Sequence, residues 1–139
     1  IDVRDLSAWI LDAVERRVTG VFNVTGPEEP LKMGDFVAAC RKLGGRKTSL
    51  RWVGESTLIE VGVAPFTEVP LWVPWVARGA MSADIRRALA EGLRCRPLLE
   101  TLIDTLTWAA DSREAPLKAG LSPEREEALW SALDRSREV

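Results

Sequence analysis

The stretch that decides the fold lies at the start of the chain, where residues 1–27 read IDVRDLSAWILDAVERRVTGVFNVTGP. Its first half places apolar residues three and four positions apart, which predicts an amphipathic helix. That apolar stripe consists of Leu6, Trp9, Ile10, Ala13 and Val14. Thr19 and Gly20 then end the helix, and Val21–Val24 is a β-branched and aromatic run that predicts a short buried strand. A helix followed directly by a strand indicates an α/β fold.

The rest of the chain adds more helices than strands. Helical spacing recurs from Met33 to Leu43, from Ser56 to Val61, from Ser82 to Gly92, from Pro97 to Ala110, and after Ser122. A second strand is predicted over Thr48–Val53 because apolar and polar residues alternate there. The fold class expected is therefore helix-rich α/β, with few short strands and five or six helices. We expect one lobe over residues 1–139, in which 111–139 forms a peripheral tail helix.

Composition excludes several classes of function. The 139 residues contain no His and no Tyr, and their formal net charge is −2. Catalytic sites of the Ser-His-Asp or Cys-His type and His-ligated metal sites are therefore excluded, and no metal site is expected. The mixed charges form no basic stripe, which disfavours nucleic acid as a partner. No run approaches the roughly 20 apolar residues that cross a bilayer, so we expect a cytoplasmic protein without membrane contact.

Residues 63–79 are named here the proline-rich segment. Its prolines preclude an uninterrupted helix or a central strand, and long irregular segments are often functional. Phe66, Trp72 and Trp75 are its candidate substrate-binding residues, because small-molecule pockets are lined mainly by apolar and aromatic side chains. The alternatives are that these rings pack on the chain's own core or meet a neighbouring chain, which would give a homodimer through exposed apolar surface.

Two groups of polar residues are further candidates. Arg78 and Arg86 could hold an anionic part of a substrate, or they could be solvated charges on helix surfaces. Asn23, Thr25 and Gly26 follow the first predicted strand, and ligands gather at the carboxyl ends of strands in open α/β sheets. We therefore expect these three at the edge of a cofactor cleft, although the same residue types also favour simple turns.

The order of these segments resembles a known family. IDVRDL at 1–6 and GVFNVTGP at 20–27 are similar to the C-terminal half of extended short-chain dehydrogenases/reductases, the NAD-dependent epimerase/dehydratase family. The resemblance continues through LKMGDF at 31–36, SADIRRA at 82–88 and GLRCRP at 92–97, and ends with the following helix near residue 108. It implies that this chain is the C-terminal substrate lobe of an NAD(P)-binding Rossmann-fold protein.

The resemblance also implies what the chain lacks. The family's glycine-rich turn and its Tyr-x-x-x-Lys pair are absent, so no catalytic residue is expected here. The chain opens at Ile1, and we expect a fragment whose missing N-terminal Rossmann domain is its partner. NAD or NADP would bind in the intact protein and not to this fragment alone. Arg78 and Gly79 lack the adjacent Asp found in nucleotide-sugar enzymes, which favours an uncharged or weakly polar alcohol or carbonyl substrate.

Two other functions remain open. One is a regulator that keeps the dinucleotide fold without catalysis. The other is a protein-interaction domain whose apolar loop binds a partner.

Overall fold

The computed structural model describes residues 1–44, 50–111 and 119–135. More than half of them are helical. The helices are α1 (Val3–Glu15), α2 (Met33–Gly44), α3 (Glu55–Glu60), α4 (Arg86–Ala90), α5 (Leu98–Asp111) and α6 (Pro123–Arg135), with a 3₁₀ helix at Trp75–Met81. Within those described ranges the β structure is limited to an isolated parallel bridge between Pro65 and Val69. The helix-rich character is confirmed, whereas the short strands are not found.

The chain folds as two compact units, each built from two separate stretches. Unit 1 comprises Ile1–Thr48 and Ser82–Arg113, and unit 2 comprises Ser49–Met81 and Glu114–Val139. The sequence predicted one lobe with a peripheral tail. Helix α6 instead contributes buried side chains to unit 2.

Unit 1 is built around α1, which begins at Val3. The Asp2 carboxylate accepts the Arg4 N–H at 2.9 Å and caps the helix. The buried core of the unit consists of Trp9, Ala13, Ala88 and Leu93, with Val18, Phe22, Val24, Leu89 and Cys95 packed against it. Ile10 and Val14, predicted to face this core, are instead exposed. Helix α1 therefore has a second apolar side that unit 1 leaves uncovered.

The end of α1 also differs from the prediction. The helix stops at Glu15, and Arg17 takes a positive φ of 55°. The Val18 N–H then donates to the Ala13 carbonyl at 2.8 Å, which closes the helix in the manner of a left-handed cap. The sequence placed the stop at Thr19 and Gly20, because Gly is the usual residue at such a cap and Arg is rare.

Residues 21–24 are not a strand in this structure. Val21 is 83% exposed, whereas the Phe22 ring meets the Trp9 ring edge-on at 5.4 Å between centroids. This alternation of outward and inward side chains is that of an extended segment. A strand also needs a neighbour to form its hydrogen bonds, and the described part of the chain supplies none. In the described part of the chain, the predicted strand is therefore an unpaired extended segment.

A buried ion pair fixes the start of α1 to the segment that leads into α5. The Asp5 carboxylate, 9% exposed, accepts the backbone N–H of Arg96 at 2.9 Å and its Nε at 2.7 Å. Asp2 lies beside it and accepts the Thr101 hydroxyl at 2.7 Å. The Arg96 guanidinium holds the pKa of Asp5 below its ordinary value, and Arg4 does the same for the pKa of Asp2.

Unit 2 joins α3, the proline-rich segment and α6. Its buried apolar side chains are Val63, Leu129 and Leu133. The Arg51 guanidinium donates to Asp134 at 2.5 Å and to the Leu133 carbonyl at 2.9 Å, and lies 5.5 Å from the centre of the Trp130 ring. Residues 50–53, the described part of the second predicted strand, form no strand. The predicted start of α6 is confirmed, since the Ser122 hydroxyl accepts the Arg125 N–H at 3.2 Å.

Candidate functional site

The proline-rich segment turns sharply at Phe66. The Thr67 N–H donates to the Pro65 carbonyl at 2.7 Å, a bond two residues apart that defines a γ-turn. Phe66, the central residue of this turn, has a φ of 61° and is half exposed. A bulky residue at positive φ is unusual, because its Cβ crowds the backbone. The turn thus leaves the large apolar side chain of Phe66 half exposed while its backbone has an unfavourable φ angle.

A second turn repeats this feature at Leu71. The Trp72 N–H donates to the Val69 carbonyl at 3.2 Å and closes a β-turn in which Pro70 and Leu71 are the central residues. Leu71 has a φ of 67° and is also half exposed. Pro is favoured at the first central position, and Gly or Asn is usual at the second when φ is positive. Pro70 therefore indicates a turn at this place, whereas the residue type of Leu71 does not indicate the positive φ.

Glu68 and Arg125 fix the backbone between these turns. One oxygen of the Glu68 carboxylate accepts the Ala64 N–H at 2.8 Å, and the other accepts the Arg125 Nε at 2.9 Å. The same guanidinium donates to the carbonyls of Val61 and Gly62 at 3.2 and 3.1 Å. The ion pair with Arg125 holds the pKa of Glu68 below its ordinary value, so the carboxylate stays charged at neutral pH. Sequence analysis missed this pair, since the two residues lie far apart in the chain.

The tryptophans of the segment differ in burial. Trp72 is half-buried, whereas the Trp75 side chain is 66% exposed. The backbone N–H of Trp75 donates to the Glu55 carboxylate at 2.7 Å, which connects the start of the 3₁₀ helix to α3. The Arg78 guanidinium lies 3.6 Å from the centre of the Trp75 ring, a cation–π contact. Arg78 is exposed and, among the described residues, has no carboxylate partner.

The remaining predicted residues belong to unit 1. Arg86 donates through Nε and Nη2 to Asp84, two residues earlier, and lowers the pKa of that carboxyl to about 2. Asp84 also accepts the Arg86 N–H at 3.0 Å at the start of α4, so it takes the place predicted for Ser82. The Arg86 charge is therefore engaged locally, which matches the solvated-charge alternative better than an anion contact.

The three residues expected at a cofactor cleft make contacts within unit 1. The Asn23 amide donates to the Asp84 carbonyl at 3.1 Å and so joins the extended segment to the turn before α4. A Cβ at Gly26 would lie 3.0 Å from the Cys95 sulfur, so a larger residue there would require the Cys95 side chain to shift. Thr25 is half-buried beside them. These contacts account for Asn23 and Gly26 as structural residues, and their role toward a cofactor stays a prediction.

A groove that the sequence did not indicate lies in unit 1. It has a volume of about 460 Å³ and runs between the start of α1 and the middle of α5. Ile1, Val3 and Trp108 form its apolar wall, and the ion pair of Arg4 with Asp104 lies at its polar side. None of the predicted site residues lines this groove.

The described residues contain neither a candidate metal site nor a candidate membrane span. No group of three or more His, Cys, Asp or Glu side chains in the described ranges could hold a metal ion. Likewise, within residues 1–44, 50–111 and 119–135, no helix combines the length and the apolar character needed to span a bilayer.

Comparison of the chain with protein-family models, with curated proteins and with solved structures finds no match.

Proposed function

We propose that this chain is the substrate-binding part of an NAD(P)-dependent epimerase, dehydratase or reductase that acts on an alcohol or carbonyl compound. One observation carries the proposal: the proline-rich segment is ordered by its own hydrogen bonds, while Phe66, Leu71 and Trp75 expose their side chains. An ordered backbone that presents apolar rings to solvent is the arrangement a small-molecule site needs, because little conformational freedom is lost when the ligand binds.

The surface of unit 1 supports a second domain as partner. Val3, Leu11 and Val14 on α1 are each at least 65% exposed, and the extended segment 21–24 has unpaired backbone groups within the described part of the chain. Contiguous apolar surface of this kind marks an interface. An unpaired extended segment can add to the edge of a sheet. A dinucleotide-binding domain with an open sheet would satisfy both requirements and would supply NAD or NADP with the catalytic residues.

The chemistry of the segment favours an apolar or weakly polar substrate. Apart from Thr67 and Arg78, its exposed side chains are aromatic or aliphatic, and Arg78 on Trp75 is the charged group that this segment presents without a carboxylate partner among the described residues. A diphosphate usually requires several converging cationic donors. An alcohol or ketone with an apolar body therefore fits the segment better than a nucleotide sugar.

Substitution of Trp75 tests the proposal. We expect Trp75→Ala to weaken binding of benzyl alcohol, a small alcohol with an apolar ring, by about threefold or more, because an aromatic contact is lost. Binding is measured from amide chemical-shift changes in the ¹⁵N-labelled chain. Trp52→Ala is the matched control, since Trp52 lies in the same unit and is 69% exposed. Equal effects of the two variants, or benzyl alcohol shifts confined to other residues, would contradict the proposal.

Cofactor binding gives a second test. We expect calorimetry with NAD(H) and NADP(H) to detect no binding to this chain, because the glycine-rich turn that approaches the pyrophosphate is not in its sequence. Tight binding of either cofactor to the chain alone would contradict the assignment of cofactor chemistry to a separate domain.

An interaction domain is the second candidate function, and the 93% exposure of Val76 favours it. Exposed apolar residues beside Trp75 would then contact another protein. Size-exclusion chromatography separates the two functions: a monomer that binds benzyl alcohol supports a substrate site, whereas a stable oligomer that excludes the alcohol supports an interaction surface.

A further inference from the structure

We infer that Glu68 and Arg125 are positioning residues for substrate recognition, because their ion pair holds the 64–72 loop in the conformation that presents Phe66 and Leu71 to a ligand. The inference rests on the proposed function and assigns the apolar part of the substrate to this loop. It also gives α6, expected to be a peripheral tail, a part in forming the site.

The first step is the unfavourable backbone of the loop. Phe66 and Leu71 both have positive φ, at 61° and 67°, and neither residue is a glycine. Such conformations are unfavourable for residues with a side chain and persist only where the surrounding structure imposes them. Because both side chains remain half exposed, burial within unit 2 offsets only part of that cost. Large apolar residues at these positions therefore contribute less to stability than their size would suggest.

The second step is the set of contacts that imposes this conformation. Glu68 lies between the two strained residues, and its carboxylate joins the Ala64 N–H to the Arg125 guanidinium. Arg125 in turn donates to two carbonyls just before the loop, those of Val61 and Gly62. These are charge-assisted hydrogen bonds, which are stronger than neutral ones.

A further bond fixes the loop from the α6 side. The Gly120 N–H donates to the Thr67 carbonyl at 2.6 Å, next to the γ-turn at Phe66. The loop is thus attached both to the backbone that precedes it and to the stretch that leads into α6. Loss of Arg125 removes the bonds that join Glu68 and the backbone before the loop to α6, so Phe66 and Leu71 would relax toward ordinary backbone conformations and leave the positions in which they face a ligand.

The first experiment tests whether the positive φ at Leu71 lowers the stability of the protein while the Leu71 side chain contributes to binding. At a position with negative φ, a protein with Gly is usually less stable than one with Ala. The order of stability reverses where φ is positive. We expect Leu71→Gly to melt at a higher temperature than Leu71→Ala, and both variants to bind benzyl alcohol more weakly than the parent chain. If Leu71→Ala melts higher, or if neither variant changes binding, the inference is overturned.

The second experiment breaks the ion pair in the full chain. Arg125→Met keeps the aliphatic stem, and Glu68→Gln keeps the shape of the carboxylate without its charge. We expect each to speed amide hydrogen exchange at Ala64 and Gly120 by about tenfold. We also expect each to raise the dissociation constant for benzyl alcohol by about threefold or more. Arg51→Met is the matched control, because Arg51 forms a similar ion pair with Asp134 in the same unit and makes no hydrogen bond to the loop.

The outcomes separate this inference from the proposed function. Unchanged exchange at Ala64 and Gly120 shows that the pair does not hold the loop. Faster exchange with unchanged binding, or equal loss of binding in Arg51→Met, shows a purely structural role. Either result overturns the inference and leaves the proposed function intact, since the parent chain still binds the alcohol through Trp75. Absence of binding to the parent chain overturns the proposed function and this inference together.

Discussion

Replacement of Trp9 by alanine is expected to destabilise the protein by about 3–5 kcal/mol, the usual range for a buried aromatic residue. Trp9 is 9% exposed and lies in the core of unit 1 with Ala13, Ala88 and Leu93. Its ring meets Phe22 edge-on, and its indole N–H donates to the Glu91 carbonyl at 3.2 Å. The substitution therefore creates a cavity and also removes one of the two hydrogen bonds that the Glu91 carbonyl accepts, the other being donated by Arg16.

Denaturant unfolding of the parent protein and of Trp9→Ala measures this change in the free energy of unfolding. Trp108→Ala is the control, because Trp108 lies on a helix of the same unit and is 67% exposed. That variant is expected to lose about 1 kcal/mol or less. Similar losses in the two variants would show that unit 1 does not have the core described above.

Removal of the Asp5 carboxylate is expected to have the second largest effect. Asp5→Ala removes the carboxylate that accepts both the backbone N–H and the guanidinium of the partly buried Arg96, and leaves Asp2, 3.6 Å from the Arg96 Nε, as the remaining carboxylate there. The expected loss in free energy of unfolding is about 2–3 kcal/mol. Asp12→Ala is the control, since Asp12 pairs with Arg16 on the exposed side of the same helix and should change stability little.

The same carboxylate gives the protein a defined dependence on pH. Arg96 lowers the folded-state pKa of Asp5 below its ordinary value of 3.8. A lowered carboxyl pKa stabilises the folded state fully above that ordinary value, and the stabilisation is lost as the pH falls through the folded-state pKa. The parent chain should therefore lose stability below about pH 4, and Asp5→Ala should show a smaller change over the same range. Parallel curves of stability against pH would contradict this role for Asp5.

Local sequence was sufficient to predict where most helices form. The spacing of Trp9 and Ala13 indicated α1, and Ser122 before Pro123 indicated the start of α6. Both signals act within a turn of helix, so they need no knowledge of the rest of the chain. The orientation of α1 was less predictable. Ile10, which belongs to the predicted apolar stripe, is exposed, whereas Asp5 is buried, and the burial of Asp5 depends on Arg96, which is distant in sequence.

The errors share a physical origin in contacts between distant residues. The composition of Val21–Val24 suits a strand, but propensity says nothing about whether a neighbouring strand is present. The positive φ at Phe66 could not be predicted from the sequence either, because phenylalanine rarely adopts it. Hydrogen bonds from surrounding residues impose this conformation. At the candidate site, residue types indicated Trp75 and Arg78. The Glu68–Arg125 pair, in contrast, required the fold to bring α6 to the proline-rich segment.

The interleaving of the two units has a consequence for how the chain acquires its structure during synthesis. Unit 1 needs residues from Ser82 onward to complete its core, and unit 2 needs residues from α6. A nascent chain that has emerged from the ribosome only as far as Met81 therefore holds the first half of both units and the whole of neither. Domains generally fold as units while they are made, so the early helices must wait in a partly folded state and are candidates for chaperone binding.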